Sequence, residues 1–316
     1  MRGTPEGADG PVVAVVTHRN LEGLRRLVPT LFEQTVSLGI ELVIIDNASE
    51  DGTREWLSRK KGPVTVLRLP QNEGPGAARN AVLESRPNAE TYVFFDDDAL
   101  PRGDEVADLL RSLHSNERLG IVAGEAVTEG GNRLATSYTR RPFQSAFPLL
   151  WGRWWGGDPA RAEGTLEYVD VVGGSGIAIR GELARKIGPF ETILWPAAFE
   201  DLDYCARTRF LGWEIAVDHG IPIRQEVSST MAQVFGRQYP AVSRSSALMY
   251  VVMNYPTIMT IGRLLEAGIH VLTSSNGKVR QGDARGLLRC ARAWRRLLQG
   301  RRVRRRLRRA RRTAPA

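Results

Sequence analysis

Over the first hundred residues, short runs in which nearly every position is apolar alternate with longer segments whose apolar positions recur every three or four. The runs at 12–16, 41–45, 64–69 and 91–95 read as strands. Between them, Leu21, Leu24, Leu27, Val28 and Leu31 share one face of a helix, and 76–83 reads as a helix opened by the Gly74-Pro75-Gly76 turn. Continuously apolar strands alternating with helices predict a mostly parallel α/β sheet covered on both faces. The pattern dissolves over 130–165, a stretch rich in aromatics (Tyr138, Phe143, Phe147, Trp151, Trp154, Trp155). It resumes with a strand-like 168–180, a helix over 199–211 and a strand over 214–217, and after Tyr239 the chain reads as helical. There is no internal repeat.

Composition narrows this picture. A chain of 316 residues that is 42% hydrophobic has enough apolar material for one large domain or two small ones, which excludes a disordered chain. The formal charge of +9 sets 44 Lys and Arg against 35 Asp and Glu, but nine of the Arg fall within 301–312. Without them the body is neutral, so no nucleic-acid partner is expected. Cys205 and Cys290 are too few for a disulfide framework or a Cys-based zinc site, and the N-terminus has no apolar signal region, so a cytoplasmic location is expected. The most apolar stretch, 247–262, contains Asn254 and Pro256 and falls short of the ~20 residues that span a bilayer.

Open parallel sheets bind ligands at the carboxyl ends of their strands. The residues there are Thr17-His18-Arg19-Asn20, Asp46-Asn47 and Asp96-Asp97-Asp98. If the last triplet continues the extended strand, Asp96 and Asp98 project to one side and suit a hard divalent cation that bridges substrate phosphates; a solvated acidic strand end is the alternative. Asp46 and Asp96 on the same rim can accept hydrogen bonds from a nucleoside. Glu200, Asp201 and Asp203 open a helix near Trp195, where they either favour the helix dipole or supply a general base.

Taken in order, a strand ending in Thr17, IIDNASEDGT at 44–53, NEGPGAARN at 72–80, FFDDDALP at 94–101, VGGSGIAIR at 172–180 and FEDLDYCARTRFLGW at 199–213 resemble family 2 of the glycosyltransferases, inverting enzymes of the GT-A fold, and their bacterial rhamnosyltransferase-like members. The resemblance covers roughly 11–230. It implies a GT-A domain over 11–235 after a flexible 1–10, with a helical C-terminal extension over 236–300 and a basic tail over 301–316. It further implies a nucleoside pocket from Thr17, Arg19 and Asp46, with Arg79 closing over the donor and Asp97 on the donor side. Asp96 and Asp98 become ligands of Mg or Mn, and Gly174 and Ser175 lie beneath donor sugar and acceptor with Trp195. Asp201 becomes the catalytic base, supported by Glu200 and Asp203. The expected activity is transfer of one sugar, with inversion, from a UDP- or dTDP-linked donor to a hydroxyl of a glycan, a lipid-linked acceptor or a small molecule.

In similar proteins a His precedes the Ser/Thr-rich run after the last core strand and is assigned as an extra metal ligand; here Gln225 stands in that place. His219, six residues earlier, reads as a loop histidine without a ligand partner. The three tryptophans at 151–155 suit the stacking of an acceptor sugar or ordinary packing. In the tail, Val303, Leu307 and Ala310, continued upstream by Leu287, Ala291, Trp294 and Leu298, predict one basic helix over 285–312 whose apolar stripe and Arg301–Arg312 cluster suit an anionic membrane surface. Two rival functions are a nucleotidyltransferase of similar fold and a degenerate, non-catalytic protein that docks on membranes.

Overall fold

The computed structural model describes residues 9–59, 64–134, 162–196, 199–226 and 236–313. Trp151, Trp154, Trp155 and most of the aromatic stretch lie outside them. The chain begins β1 (Val12–Thr17), α1 (Leu21–Leu38), β2 (Glu41–Asp46), α2 (Thr53–Ser58), β3 (Val64–Arg68), α3 (Pro75–Ser85), β4 (Thr91–Asp96). It continues α4 (Glu105–His114), β5 (Leu119–Val127), β6 (Ala162–Glu163), β7 (Leu166–Tyr168), β8 (Ile177–Arg180), α5 (Gly181–Ile187), α6 (Glu200–Phe210) and β9 (Glu214–Arg224). Four helices follow: α7 (Tyr239–Asn254), α8 (Thr257–Thr273), α9 (Gly277–Arg292) and α10 (Trp294–Thr313).

Among the described residues the strands form one sheet in the order β3-β2-β1-β4-β8-β5-β9-β7-β6. The first four are mutually parallel, and β8 enters antiparallel between β4 and β5. Alternation within buried strands builds two cores. Val12, Ala14 and Val16 of β1 face α3, α5 and α6, whereas Val13 and Val15 face Leu24, Leu27 and Leu31 of α1 and Leu109 and Leu113 of α4. This three-layer sandwich with a helical C-terminal region is the expected α/β architecture of the GT-A fold.

Several local expectations need correction. The segment 168–180 is two strands, β7 and β8, joined by a loop that carries Gly174 and Ser175. The strand begun at Glu214 runs on to Arg224, because it pairs with β5, a nine-residue buried strand over a region the hydrophobic pattern left unassigned. Their register jumps from Gly124↔Asp218 to Glu125↔Pro222, so β9 bulges at His219. His219 is thereby a strand residue with partners: Nδ1 lies 2.8 Å from Glu125 and Nε2 3.0 Å from Glu167.

The C-terminal segment is two helices rather than one over 285–312, since the chain leaves helical geometry at Ala293. α10 crosses the 300/301 boundary expected between extension and tail, and its expected apolar stripe is split: Leu307 is buried, as is Leu297 outside the stripe, whereas Trp294, Leu298 and Val303 are exposed. Arg304 is buried as well, donating to Asp203 and, at 2.9 Å, to Asn254 Oδ1, while Arg308 covers the ring of Phe210 at 3.9 Å. These arginines hold the helix against α6 and α7. A third core of Leu248, Met249, Val252, Met259 and Cys290 unites the C-terminal helices.

Candidate functional site

The carboxyl ends of β1, β2 and β4 meet on one rim, as parallel strands in register require: Thr17 pairs with Asp46, and Val16 with Asp96. β4 stops at Asp96, where a turn closed by the Ala99 N–H on the Asp96 carbonyl (3.1 Å) ends the extended run. Asp96 and Asp98 therefore do not share a face by strand alternation. The turn carries Asp97 under the β1–α1 connection, where it accepts from Thr17 Oγ1 (2.7 Å), the His18 N–H (3.1 Å) and Asn20 Nδ2 (3.0 Å). Burial pushes the Asp97 carboxyl up to about 6 against the pull of those three donors. Asn20 in turn caps α1 by accepting from the Gly23 N–H at 3.0 Å. Asp97 and Thr17, both buried, are the frame of the rim rather than its open surface.

The second acidic position is equally well held. Asp46 is buried and accepts from the Ser49 N–H at 2.9 Å. Asn47 and Asn72 tie this loop to the next, through Asn47 Nδ2 to Asn72 Oδ1 (3.0 Å) and the Glu73 N–H to Asn47 Oδ1 (3.1 Å). Arg19, at a left-handed φ of 53°, is exposed and pairs with Glu50. Sequence reading gave Asn72 no role; its position beside the Gly74 turn was the available signal.

Arg79, on α3, is the hub. It is 2% exposed, yet its guanidinium reaches three motifs far apart in the chain: Asp96 Oδ1 at 2.9 Å, Glu200 Oε1 at 3.1 Å and the Gly174 carbonyl at 3.2 Å. Glycine is required at 174 because a Cβ there would lie 2.2 Å from Arg79 Nη2. Ser175 Oγ accepts from the Asp96 N–H at 3.0 Å, fixing the loop to the end of β4. Trp195 packs on Gly74 (φ 87°), where a Cβ would come within 2.5 Å of the indole. The Asp96 side chain is 37% exposed and thus open to a ligand.

The helix α6 splits its acids. Glu200 is buried against Arg79. Asp201 beside it has its carboxyl pushed up to about 8, by burial first and by the neighbouring Glu200 charge second. Asp203 is not part of this group: fully buried, it accepts from Arg207 Nε (2.8 Å), Asn254 Nδ2 (2.8 Å) and Arg304. Desolvation would raise its pKa, but Arg304 and Arg207 outweigh it and hold the carboxyl below the usual range.

Gln225 lies next to the acidic turn through its backbone. Ala99 and Gln225 form an antiparallel bridge, and the Glu226 N–H donates to the Asp98 carbonyl at 3.0 Å. Among the described residues no group of three or more His, Cys, Asp or Glu is arranged to hold a metal. The Asp96 carboxylate, 37% exposed on the rim, is the kind of hard oxygen donor that suits a cation taking its remaining oxygens from water and substrate phosphate.

An uncharacterized glycosyltransferase, YfnE, of Bacillus subtilis (strain 168) is 29% identical over 114 residues, 35% of this chain and 29% of that relative. Among solved structures, the mannosyltransferase PcManGT from Pyrobaculum calidifontis, in complex with GDP-Man and Mn2+, superposes with a TM-score of 0.52 at 19% identity over 95% of this chain and 83% of its own. GalNAc-T7 with UDP, GalNAc and Mn2+ gives a TM-score of 0.53 at 16% identity, over 82% of this chain and 54% of that one. S. aureus TarS 1-349 gives 0.50 at 14%, over 91% and 92%. At such identities the structural likeness carries the fold alone. Residues 12–178, a stretch that holds the strand ends, the acidic turn, Arg79 and the Gly174 loop, match Glycosyl transferase family 2. With more than half of its length in that match, the chain belongs to glycosyl transferase family 2, while it spans under a third of the length of the curated relative it matches.

Proposed function

We propose that this chain is a glycosyltransferase that moves one sugar from a nucleoside-diphosphate donor to an acceptor hydroxyl by a single displacement with inversion. The observation that carries the reading is the convergence on Arg79 of the acidic turn, the Gly174 loop and the start of α6. Donor diphosphate, sugar and acceptor would then meet in one place. In this reading Arg19 and the Asp46 loop border the nucleoside over the frame made by Thr17 and Asp97, and Asp96 and Asp98 would hold a divalent cation with the diphosphate. When bound, that cation would offset the charge gathering on the departing diphosphate. Complexes of PcManGT with GDP-Man and Mn2+ and of GalNAc-T7 with UDP and Mn2+ support this assignment.

Asp201 takes the acceptor proton. The acceptor oxygen forms its bond to the anomeric carbon while the carbon–oxygen bond to the nucleoside diphosphate breaks on the opposite face, and the hydroxyl proton passes to the Asp201 carboxylate. A carboxyl whose pKa is pushed up to about 8 is a stronger base than an ordinary aspartate. Glu200 and Arg79 position it from behind. Asp203 serves the fold, as the anchor of α10, rather than the acceptor. Gly174, Ser175 and Trp195 shape the sugar side, and we place the acceptor among glycan, lipid-linked and small-molecule hydroxyls.

Release of nucleoside diphosphate across a panel of nucleotide-sugars, with Mn and with EDTA, tests the reading. Activity should need the cation, and Asp98→Asn should nearly abolish turnover with an unchanged melting temperature. Full activity in excess EDTA would overturn the metal assignment; silence with every donor would overturn the reaction.

A further inference from the structure

The C-terminal helices hold the chain's charge imbalance. Residues 236–313 contain nineteen of the 44 Lys and Arg but two of the 35 Asp and Glu, so the remainder of the chain is acidic overall. Both of those acids are engaged, Glu266 with Arg263 and Asp283 with Arg244 and His270.

Within this basic unit α8 presents an apolar face to solvent. Ile258, Ile261, Leu265, Ile269 and Leu272 are all exposed, Ile258 to 77% and Leu272 to 85%. At about 100° per residue they fall within roughly a quarter of the helix circumference and run about 20 Å along it. The opposite face, with Met259, Thr260 and Ala267, is buried in the third core. Arg263 and Glu266, the acid and base of α8, pair with each other at low exposure, so the stripe carries no exposed charge. Cations stand at both of its ends. Arg301 of α10 donates to Thr260 Oγ1 (2.9 Å) and Thr257 Oγ1 (3.0 Å) at the first turn of α8, with Arg302 and Arg305 exposed beside it. Lys278 and Arg280 are exposed just past the other end.

We propose that this face of α8 seats the protein in the headgroup layer of an anionic bilayer. The stripe is too short to span the ~30 Å hydrocarbon core but has the form of a helix lying in the interface, aliphatic side chains toward the acyl region and flanking cations at the phosphates. Charge chooses this occupant over a second copy of the chain, since self-association through α8 would set two strongly basic surfaces against each other. The surface differs from the stripe that the sequence suggested on the tail, of which Leu307 is buried while Trp294, Leu298 and Val303 are exposed. It stands independently of the catalytic reading.

The test is sedimentation of the full chain with vesicles of phosphatidylcholine alone and with one third phosphatidylglycerol. Wild type should partition onto the anionic vesicles and be released by salt, and Leu265→Gln combined with Ile269→Gln should lower partition tenfold or more with an unchanged thermal melt. Both native cysteines are buried, so an environment-sensitive dye on Leu265→Cys reports the same event and should shift to the blue on anionic vesicles. Equal partition of wild type and the double variant, no partition of wild type, or a dye that stays water-exposed would overturn the proposal. A wild-type dimer in lipid-free light scattering that the double variant makes monomeric, without vesicle binding, would assign the face to self-association instead.

Discussion

Two aspartates two residues apart on α6 have opposite shifts in proton affinity because their surroundings differ. Asp201 is pushed up to about 8 by burial and then by the Glu200 charge, whereas Asp203, though buried, lies between Arg304 and Arg207 and is held low. As a base Asp201 must be unprotonated, so kcat/KM should rise with pH through about 8 in a profile measured on wild type. Asp201→Asn should lower kcat by ~10² to 10⁴ at little cost in donor affinity. The stability effect has the reverse sign. Between the ordinary carboxyl value near 4 and about 8 the folded protein binds more protons at this position than the unfolded chain, so stability falls as pH rises across that window. Asp201→Asn should therefore melt above wild type at pH 8, by about 1 kcal/mol or more, a gain that denaturant titration would register. At the acidic turn, the bridge between Ala99 and Gln225 predicts that Gln225→His lowers the Mn concentration for half-maximal activity; an unchanged Mn titration would mean that this side chain does not reach the cation.

At the scale of elements, α6 joins the rim of the proposed site to the C-terminal helices. Its first turn faces Arg79, while Asp203 binds Arg304 of α10 and Asn254 of α7. Arg304→Ala would leave the Asp203 charge buried without its main partner and should cost about 3–5 kcal/mol, measured by urea unfolding near pH 7. The penalty should shrink on acidification. Asp203 has a depressed pKa, so its stabilising share is present above the unfolded carboxyl range and is lost as pH falls through its folded value. A chain ending at Gln299 should be destabilised for the same reason, because it loses Arg301, Arg304 and Leu307 together.

For the molecule as a whole, an acidic α/β sandwich is fused to a basic helical unit, and arginines as well as apolar packing make the contact between them. The buried Arg304 donates to Asp203, Arg289 donates to the Ile193 and Trp195 carbonyls, and Arg308 lies over the Phe210 ring. The arginine-rich terminus is thus a structural element. Amide hydrogen exchange checks this directly: amides at 301–308 should be protected to a degree approaching those of α7, whereas a free basic tail would exchange within seconds.

What the sequence determined by itself was whatever depends on local periodicity. Strands at 12–16, 41–45 and 91–95 announce themselves because both of their faces are buried, and their ends carry Asp46 and Asp96 onto one rim as soon as they pair in parallel. The order of motifs was sufficient for the family. What the tertiary structure alone decided are pairings across long stretches of chain, which no local pattern encodes. Arg79 meets Glu200 across 121 residues and Arg304 meets Asp203 across 101. Asp97 turns inward because the turn after β4 delivers it to Thr17 and Asn20, so three consecutive aspartates that look equivalent in the chain take different parts. The same holds for apolar stripes. Periodicity puts Trp294, Leu298, Val303 and Leu307 on one stripe, but packing alone decides that Leu307 is buried and the other three are exposed.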